Sequence, residues 1–206
     1  MQRIIAMSAL PLVASAALAG NVTTTWDSGT FEGWTFTPDV NAGNWEVFST
    51  GGNPDGYVSY TDSDQGGVTP IFLYAPGSYL GDYSSFGAGA GFAYDGIWES
   101  STQPAINAPV IRLFGASGEV AEGFGPGVNS ANWDSFFIGF NEAEWNMLSG
   151  NWNDLIANVT AVALIGDNGI GSGREGGVDN FTLVVPAPSS AAILGIAGIA
   201  ALRRRR

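Results

Sequence analysis

Val110-Ile111-Arg112-Leu113-Phe114 runs through Gly115-Ala116-Ser117-Gly118 into Glu119-Val120-Ala121-Glu122, and the reading of this stretch decides the fold. The first five residues alternate as a half-buried strand does, and the glycine-bracketed four after them form a hairpin turn. Outward in both directions the same grammar repeats, with apolar and aromatic runs of four to eight residues separated by Gly, Asn, Asp and Pro. These runs predict strands over 31–37, 44–49, 57–60, 71–74, 91–98, 108–114, 135–140, 160–165 and 180–184, with β-branched and aromatic enrichment clearest in 45–49 and 57–60. One segment breaks the pattern. Ser149-Gly150-Asn151-Trp152-Asn153-Asp154 offers a Ser or Asn N-cap and an acid near the positive end of a helix, and Trp152, Leu155, Ile156 and Val159 follow at helical spacing. About nine strands and one short inserted helix predict an all-β antiparallel sandwich.

Composition agrees with that reading. Of 206 residues, 30 are glycine and 12% are aromatic against 13% charged, which favours short strands and tight turns over a helical bundle. Cysteine and histidine are both absent, so thiol nucleophiles, Ser-His-Asp triads, imidazole acid–base chemistry and ordinary zinc sites are excluded. Without disulfides the middle of the chain must stand on its core, and about 165 residues is enough to bury one. All seven basic residues are arginine. Only Arg112 and Arg174 fall between Gly20 and Val185, where all nineteen carboxylates lie, a net of −17. Such a field repels phosphate backbones, so a nucleic-acid partner is excluded.

The chain divides into 1–19, 20–185 and 186–206. Met1-Gln2-Arg3 is a short basic start, an apolar run follows to Ala19, and Ala17-Leu18-Ala19 is a small-x-small cleavage site, with Ala14-Ser15-Ala16 an earlier option. These are the three parts of a secretory signal peptide, so an exported chain beginning at Gly20 is expected. At the other end, Pro186-Ala187-Pro188 precedes the twelve apolar residues 191–202 and the tail Arg203, Arg204, Arg205 and Arg206. At about 1.5 Å per residue that run falls short of a hydrocarbon core of about 30 Å. It suits a temporary membrane hold, with the arginines on the cytoplasmic side.

Pro-x-Pro, a short apolar helix and a terminal arginine cluster together resemble the PEP-CTERM sorting signal of bacteria. Ala187 stands where that family's Val-Pro-Glu-Pro motif has Glu. The resemblance implies an exosortase-type processing enzyme as partner, transient anchoring by the C-terminal helix, and delivery to the cell envelope or extracellular surface in association with exopolysaccharide.

Between the ends, several landmarks occur in order. They are Trp26-Asp27-Ser28-Gly29-Thr30-Phe31-Glu32-Gly33-Trp34, Gly51-Gly52-Asn53-Pro54-Asp55-Gly56-Tyr57-Val58, Tyr74-Ala75-Pro76 with Tyr79-Leu80-Gly81-Asp82-Tyr83-Ser84, Glu142-Ala143-Glu144-Trp145, Ala163-Leu164-Ile165-Gly166, and Glu175-Gly176-Gly177-Val178-Asp179-Asn180-Phe181. Over about residues 26–184 this order resembles the laminin B domain (domain IV), although Asp167 stands near that family's basic position. The resemblance implies a galactose-binding-like jelly roll, an extracellular adhesion or matrix module, and no catalysis.

The remaining chemistry is carboxylate chemistry. Glu142 and Glu144 would share one face of a strand, the start of a glycosidase pair, but Met147 occupies the third position of the E-x-D-x-x-E pattern of sandwich glucanases. Calcium is the better prospect, because loop Asp, Asn and carbonyl groups supply its oxygen ligands. Asp62 and Asp64 stand in the alternating Asp62-Ser63-Asp64-Gln65-Gly66. By resemblance to jelly-roll sugar-binding modules, where a structural calcium joins the first and last strands, Asp27 and Asp179 are the other candidates. Turn-capping without metal is the alternative for all four. Among seven tryptophans, Trp34, Trp45, Trp98 and Trp133 read as core, whereas Trp26 and Trp145, beside loops, are the candidates for stacking on a sugar ring. The leading expectation is a non-enzymatic surface or matrix protein. The alternatives are a carbohydrate-binding module for a surface polysaccharide and, more remotely, a carboxylate-pair glycosidase.

Overall fold

The computed structural model describes residues 20–36, 43–62, 71–98, 110–124, 132–166 and 173–186, with the side chains of 43, 62, 98 and 173–175 outside that description. Its strands are β1 Val22–Thr24, β2 Gly43–Phe48, β3 Tyr57–Asp62, β4 Phe72–Tyr74, β5 Gly91–Trp98, β6 Val110–Gly115, β7 Val120–Phe124, β8 Asp134–Gly139, β9 Trp145–Ser149, β10 Val159–Ile165 and β11 Gly173–Val184, with the helix α1 Trp152–Ala157 between β9 and β10. Six strands form one sheet in the order β2-β3-β11-β5-β8, with β1 alongside β11, and five form the other in the order β4-β10-β6-β7-β9. Every pairing is antiparallel. The expected jelly-roll sandwich with one inserted helix is what the chain forms.

The hairpin that decided the fold is present. Val110 pairs with Phe124 and Phe114 with Val120, and the turn between them closes with Gly115 N–H donating to Glu119 O at 2.8 Å. Gly118 lies at φ 94°, a left-handed position that suits glycine. The helix begins where Asn151 accepts a hydrogen bond from Asp154 N–H at 3.0 Å, and it buries Trp152 and Leu155.

Two expectations fail locally. Residues 31–36 do not form a strand; only Thr35 bridges, to Tyr74. The chain instead turns through Trp26 at φ 54°, Gly29 at 68°, Glu32 at 50° and Gly33 at 87°, and this winding drives both Trp26 and Trp34 into the core. Strands β1 and β9 were not expected, one because three residues carry almost no pattern, the other because its residues lead into a helix start.

The core is aromatic. Trp34 lies 5.6 Å from Trp26, 5.5 Å from Tyr79 and 5.2 Å from Phe181, ring centre to ring centre. Its polar atoms are satisfied in series: Trp34 Nε1–H donates to Thr24 Oγ1 at 3.0 Å, Thr24 meets the Tyr79 hydroxyl at 2.9 Å, and that hydroxyl donates to Phe181 O at 2.8 Å. Burial pushes the Tyr79 hydroxyl up to about 12, so it stays a donor throughout the neutral range.

Candidate functional site

The structure separates the sequence candidates. Trp26 is wholly buried and Trp145 is 6% exposed, so neither can stack on a sugar ring, and both assignments are corrected. Trp26 is turned inward by its left-handed backbone. Trp145 packs over Gly123, where a Cβ would come within 2.9 Å of its ring, and donates from Nε1 to Gly139 O at 2.8 Å. Trp34 and Trp45 are core as expected. Trp133 is only half-buried, edge-on to Tyr57 at 5.4 Å, and donates to Gly51 O, so its assignment to the core is corrected. Glu142 and Glu144 lie on a 3-10 turn, not on one face of a strand, and Glu144 is occupied in accepting from Gly139 N–H at 2.7 Å. Asp64, Ala17, Ala19, Ala187, Pro188, Arg203, Arg204, Arg205 and Arg206 lie outside the described residues, as do the side chains of Asp62 and Trp98. Pro186 follows Val185, whose N–H donates to Asn21 at 3.0 Å beside β1.

Asp27 and Asp179 are brought to one junction. The first and last strands are neighbours, with Val22 opposite Leu183, and the loop 51–56 lies between the two acids. Asp27 Oδ1 accepts from Gly56 N–H at 2.9 Å, and Asp179 accepts from Asn53 N–H and Asn180 N–H, both at 2.6 Å. Asp95 joins from β5, accepting from Asn180 Nδ2 at 2.8 Å and Ser135 Oγ at 2.5 Å. Asp179 is fully buried. Burial pushes its carboxyl up, the charges of Asp27 and Asp95 add to this, and the two backbone donors pull the other way, leaving it at about 6. The donor set is all oxygen, which fits a hard cation such as calcium. Among the described residues, however, no three carboxylates converge as a ready metal cluster.

A different surface carries unspent chemistry. On the five-stranded sheet Ile111, Leu113, Ala121, Trp145, Val162 and Leu164 belong to the core. Alternation therefore sends Arg112, Phe114, Glu122, Phe124, Asn146 and Ala163 to the outer face, where Ala163 is fully buried beneath its neighbours. The register aligns Tyr74, Ala163, Arg112, Glu122 and Asn146 in one row across all five strands. Four inter-strand spacings make that row about 19 Å long. On one side runs the apolar row Phe72, Ile165, Val110 and Phe124, of which Ile165 and Val110 are buried, and on the other Ala161, Phe114 and Val120.

Small alanines on β10 let the rings of β4 and β6 meet above it. Phe72 lies 5.7 Å from Tyr74 and 6.1 Å from Phe114. The Arg112 guanidinium sits 4.9 Å from the Phe72 ring centre and pairs with Glu122 through Nε at 2.9 Å and through Nη2. Among the described residues the Tyr74 hydroxyl and the Asn146 side chain have no hydrogen-bond partner, and Phe124 and Leu148 remain 40% and 49% exposed. The face thus offers flat apolar rings beside a line of free donors and acceptors. No sequence motif marks it, because its residues come from strands far apart in the chain.

The fold is that of the jelly-roll sandwiches, and comparison with solved structures agrees. No family model matches the chain, and no curated relative matches it in sequence. A family 11 carbohydrate-binding module from Clostridium thermocellum, solved in complex with a β-1,3-1,4-mixed-linked tetrasaccharide, aligns with a TM-score of 0.52 at 14% identity over 82% of this chain and 98% of that one. An agarase, AgWH50C, aligns with a TM-score of 0.56 at 12% identity over 82% of this chain, but only 25% of its own. The L4b domain of human laminin α-2 gives 0.46 at 12% identity over 57% of this chain and 71% of that domain. At such identities the likeness is one of fold alone.

Proposed function

We propose that the domain is a non-catalytic polysaccharide-binding module of an exported surface or matrix protein, and that a glycan chain lies across the outer face of the five-stranded sheet. The observation that carries this reading is the row Tyr74-Ala163-Arg112-Glu122-Asn146 with aromatic residues on both sides. Rings cover the apolar C–H faces of pyranoses while the row bonds their hydroxyls, the combination of apolar lining and few convergent polar groups that defines a ligand site. The fold neighbours that are carbohydrate-binding modules support it. The test is retention in native gels containing mixed-linked β-glucan, xylan or agarose. Tyr74→Ala and Phe114→Ala should each weaken retention by about tenfold or more, the scale of a central aromatic contact. Unchanged retention in both variants would place the glycan elsewhere.

Export and sorting are part of the same proposal. Support comes from the leader-like residues 1–19 and from Pro186-Ala187-Pro188 with the arginine tail. An exosortase-type enzyme then releases a polysaccharide-binding domain beside the polymer it holds. Intact mass of the surface protein should show a start near Gly20 and no Arg203–Arg206. Molecules that retain Arg206 would make the tail a permanent anchor.

The junction of Asp27 and Asp179 is proposed as the seat of a structural calcium. Its own residues tie β1, the loop 51–56 and β11 together, and a bound cation would supply the positive charge that this cluster lacks among the described residues.

A further inference from the structure

We infer that the Arg112–Glu122 pair reads two adjacent hydroxyls of one sugar ring, so that the face selects neutral 1,4-linked polysaccharides over polyuronates and over 1,3-linked chains. This rests on the glycan-binding reading of the outer face. Nε and Nη2 of Arg112 both donate to the same oxygen, Oε1 of Glu122. Oε2, both N–H groups of Nη1 and the second N–H of Nη2 are thereby left over, and among the described residues none has a hydrogen-bond partner. The two side chains are only 21% and 14% exposed, and the guanidinium is held against Phe72, so the spare donors and the spare acceptor belong to one ordered ion pair.

A hydroxyl both donates and accepts, whereas Nη1 only donates and an ionised Oε2 only accepts. One sugar hydroxyl can accept from a spare guanidinium N–H while its neighbour donates to Oε2, and each bond is charge-assisted. The pair needs two free hydroxyls on adjacent ring carbons. A 1,4-linked pyranose keeps O2 and O3 free along the whole chain; a 1,3-linked one consumes O3 and leaves no adjacent pair within the chain.

Charge gives the second restriction. Arg112 is the only cationic side chain among the described ones, and Glu122 already neutralises it. A uronate would bring its carboxylate beside Oε2, against the field of a chain whose formal charge is −12. A neutral sugar meets neither obstacle.

The test prints mixed-linked β-glucan, xylan and mannan, laminarin as the 1,3-linked chain, and polygalacturonate as the 1,4-linked polyanion, and probes them with the full chain. Wild type should bind at least one neutral 1,4-containing polymer and leave laminarin and polygalacturonate about tenfold weaker. Glu122→Gln, which keeps the shape and removes the charge, should shrink the neutral-over-uronate ratio by about tenfold. Arg112→Lys, which keeps a charge but loses Nη1, should lower neutral binding by a similar factor, and thermal melts confirm that both variants are folded. Wild type that binds laminarin or polygalacturonate as well as the neutral 1,4-linked polymers, or a ratio unmoved in folded Glu122→Gln, overturns this inference and leaves the glycan-binding reading intact. Wild type that binds nothing printed overturns both.

Discussion

Glu122 and Asp179 are both carboxylates drawn away from water, and their surroundings are opposite. Glu122 has a guanidinium against it, lies on an open sheet face and keeps one oxygen unspent. Asp179 has no cation beside it among the described residues, lies where β1, the loop 51–56 and β11 meet, and has both oxygens taken by backbone N–H groups. The difference separates recognition from architecture. A paired charge on a face can be lent to a ligand, whereas an uncompensated one held by main-chain donors fixes the path of the backbone.

The largest effect that would sharpen this contrast is expected at Gly56. A Cβ there would run into the Trp26 carbonyl and lie 2.7 Å from Asp27 Cα. Both obstacles are backbone, and Asp27 also holds the Gly56 N–H, so the junction cannot step aside. Gly56→Ala should cost about 3 kcal/mol or more, at the upper end of overpacking. Tyr74→Ala on the open face should cost within about 1 kcal/mol, because its half-buried ring rests on neighbours that remain. Urea midpoints at unchanged slope measure both. Equal losses at the two positions would mean that the face is as structural as the junction.

Much of this was legible in the sequence, and the failures share a cause. The hairpin around Gly115–Gly118 follows from local alternation and turn chemistry, and the helix from its Asn151 cap. The hairpin also held a clue to the site: closing it sets Arg112 opposite Glu122, a cross-strand ion pair that a sum of charges conceals. What the sequence could not show is strand order. Tyr74, Ala163, Arg112, Glu122 and Asn146 form one row only because β10 lies between β4 and β6, and β9 beside β7. Trp26 and Trp145 misled for a related reason. Standing next to a loop says nothing of where a ring points, and that was decided by the left-handed backbone of Trp26 and by the empty space over Gly123.

The prediction that tests the junction most directly is in pH dependence. In the unfolded chain Asp179 releases its proton near 3.8, whereas in the folded chain it holds the proton to about 6. Between those values the folded state binds a proton that the unfolded state has lost, so the Asp179 contribution to stability falls as pH rises through the window and is flat above it. This is opposite in sign to a salt-bridged aspartate. Other carboxylates titrate in the same range, so the difference between wild type and Asp179→Asn isolates it: in chelator, wild type should lose stability relative to the variant from about pH 4 to about 6. Calcium should reverse that relative loss, because a cation at the junction favours the ionised form. A hundredfold excess over its dissociation constant would stabilise the folded wild type by about 2.7 kcal/mol, and Asp179→Asn should lose most of that gain. If wild type and Asp179→Asn run parallel through the window and calcium moves neither melting curve, the junction holds by backbone hydrogen bonds alone and Asp179 carries no charge that a metal could answer.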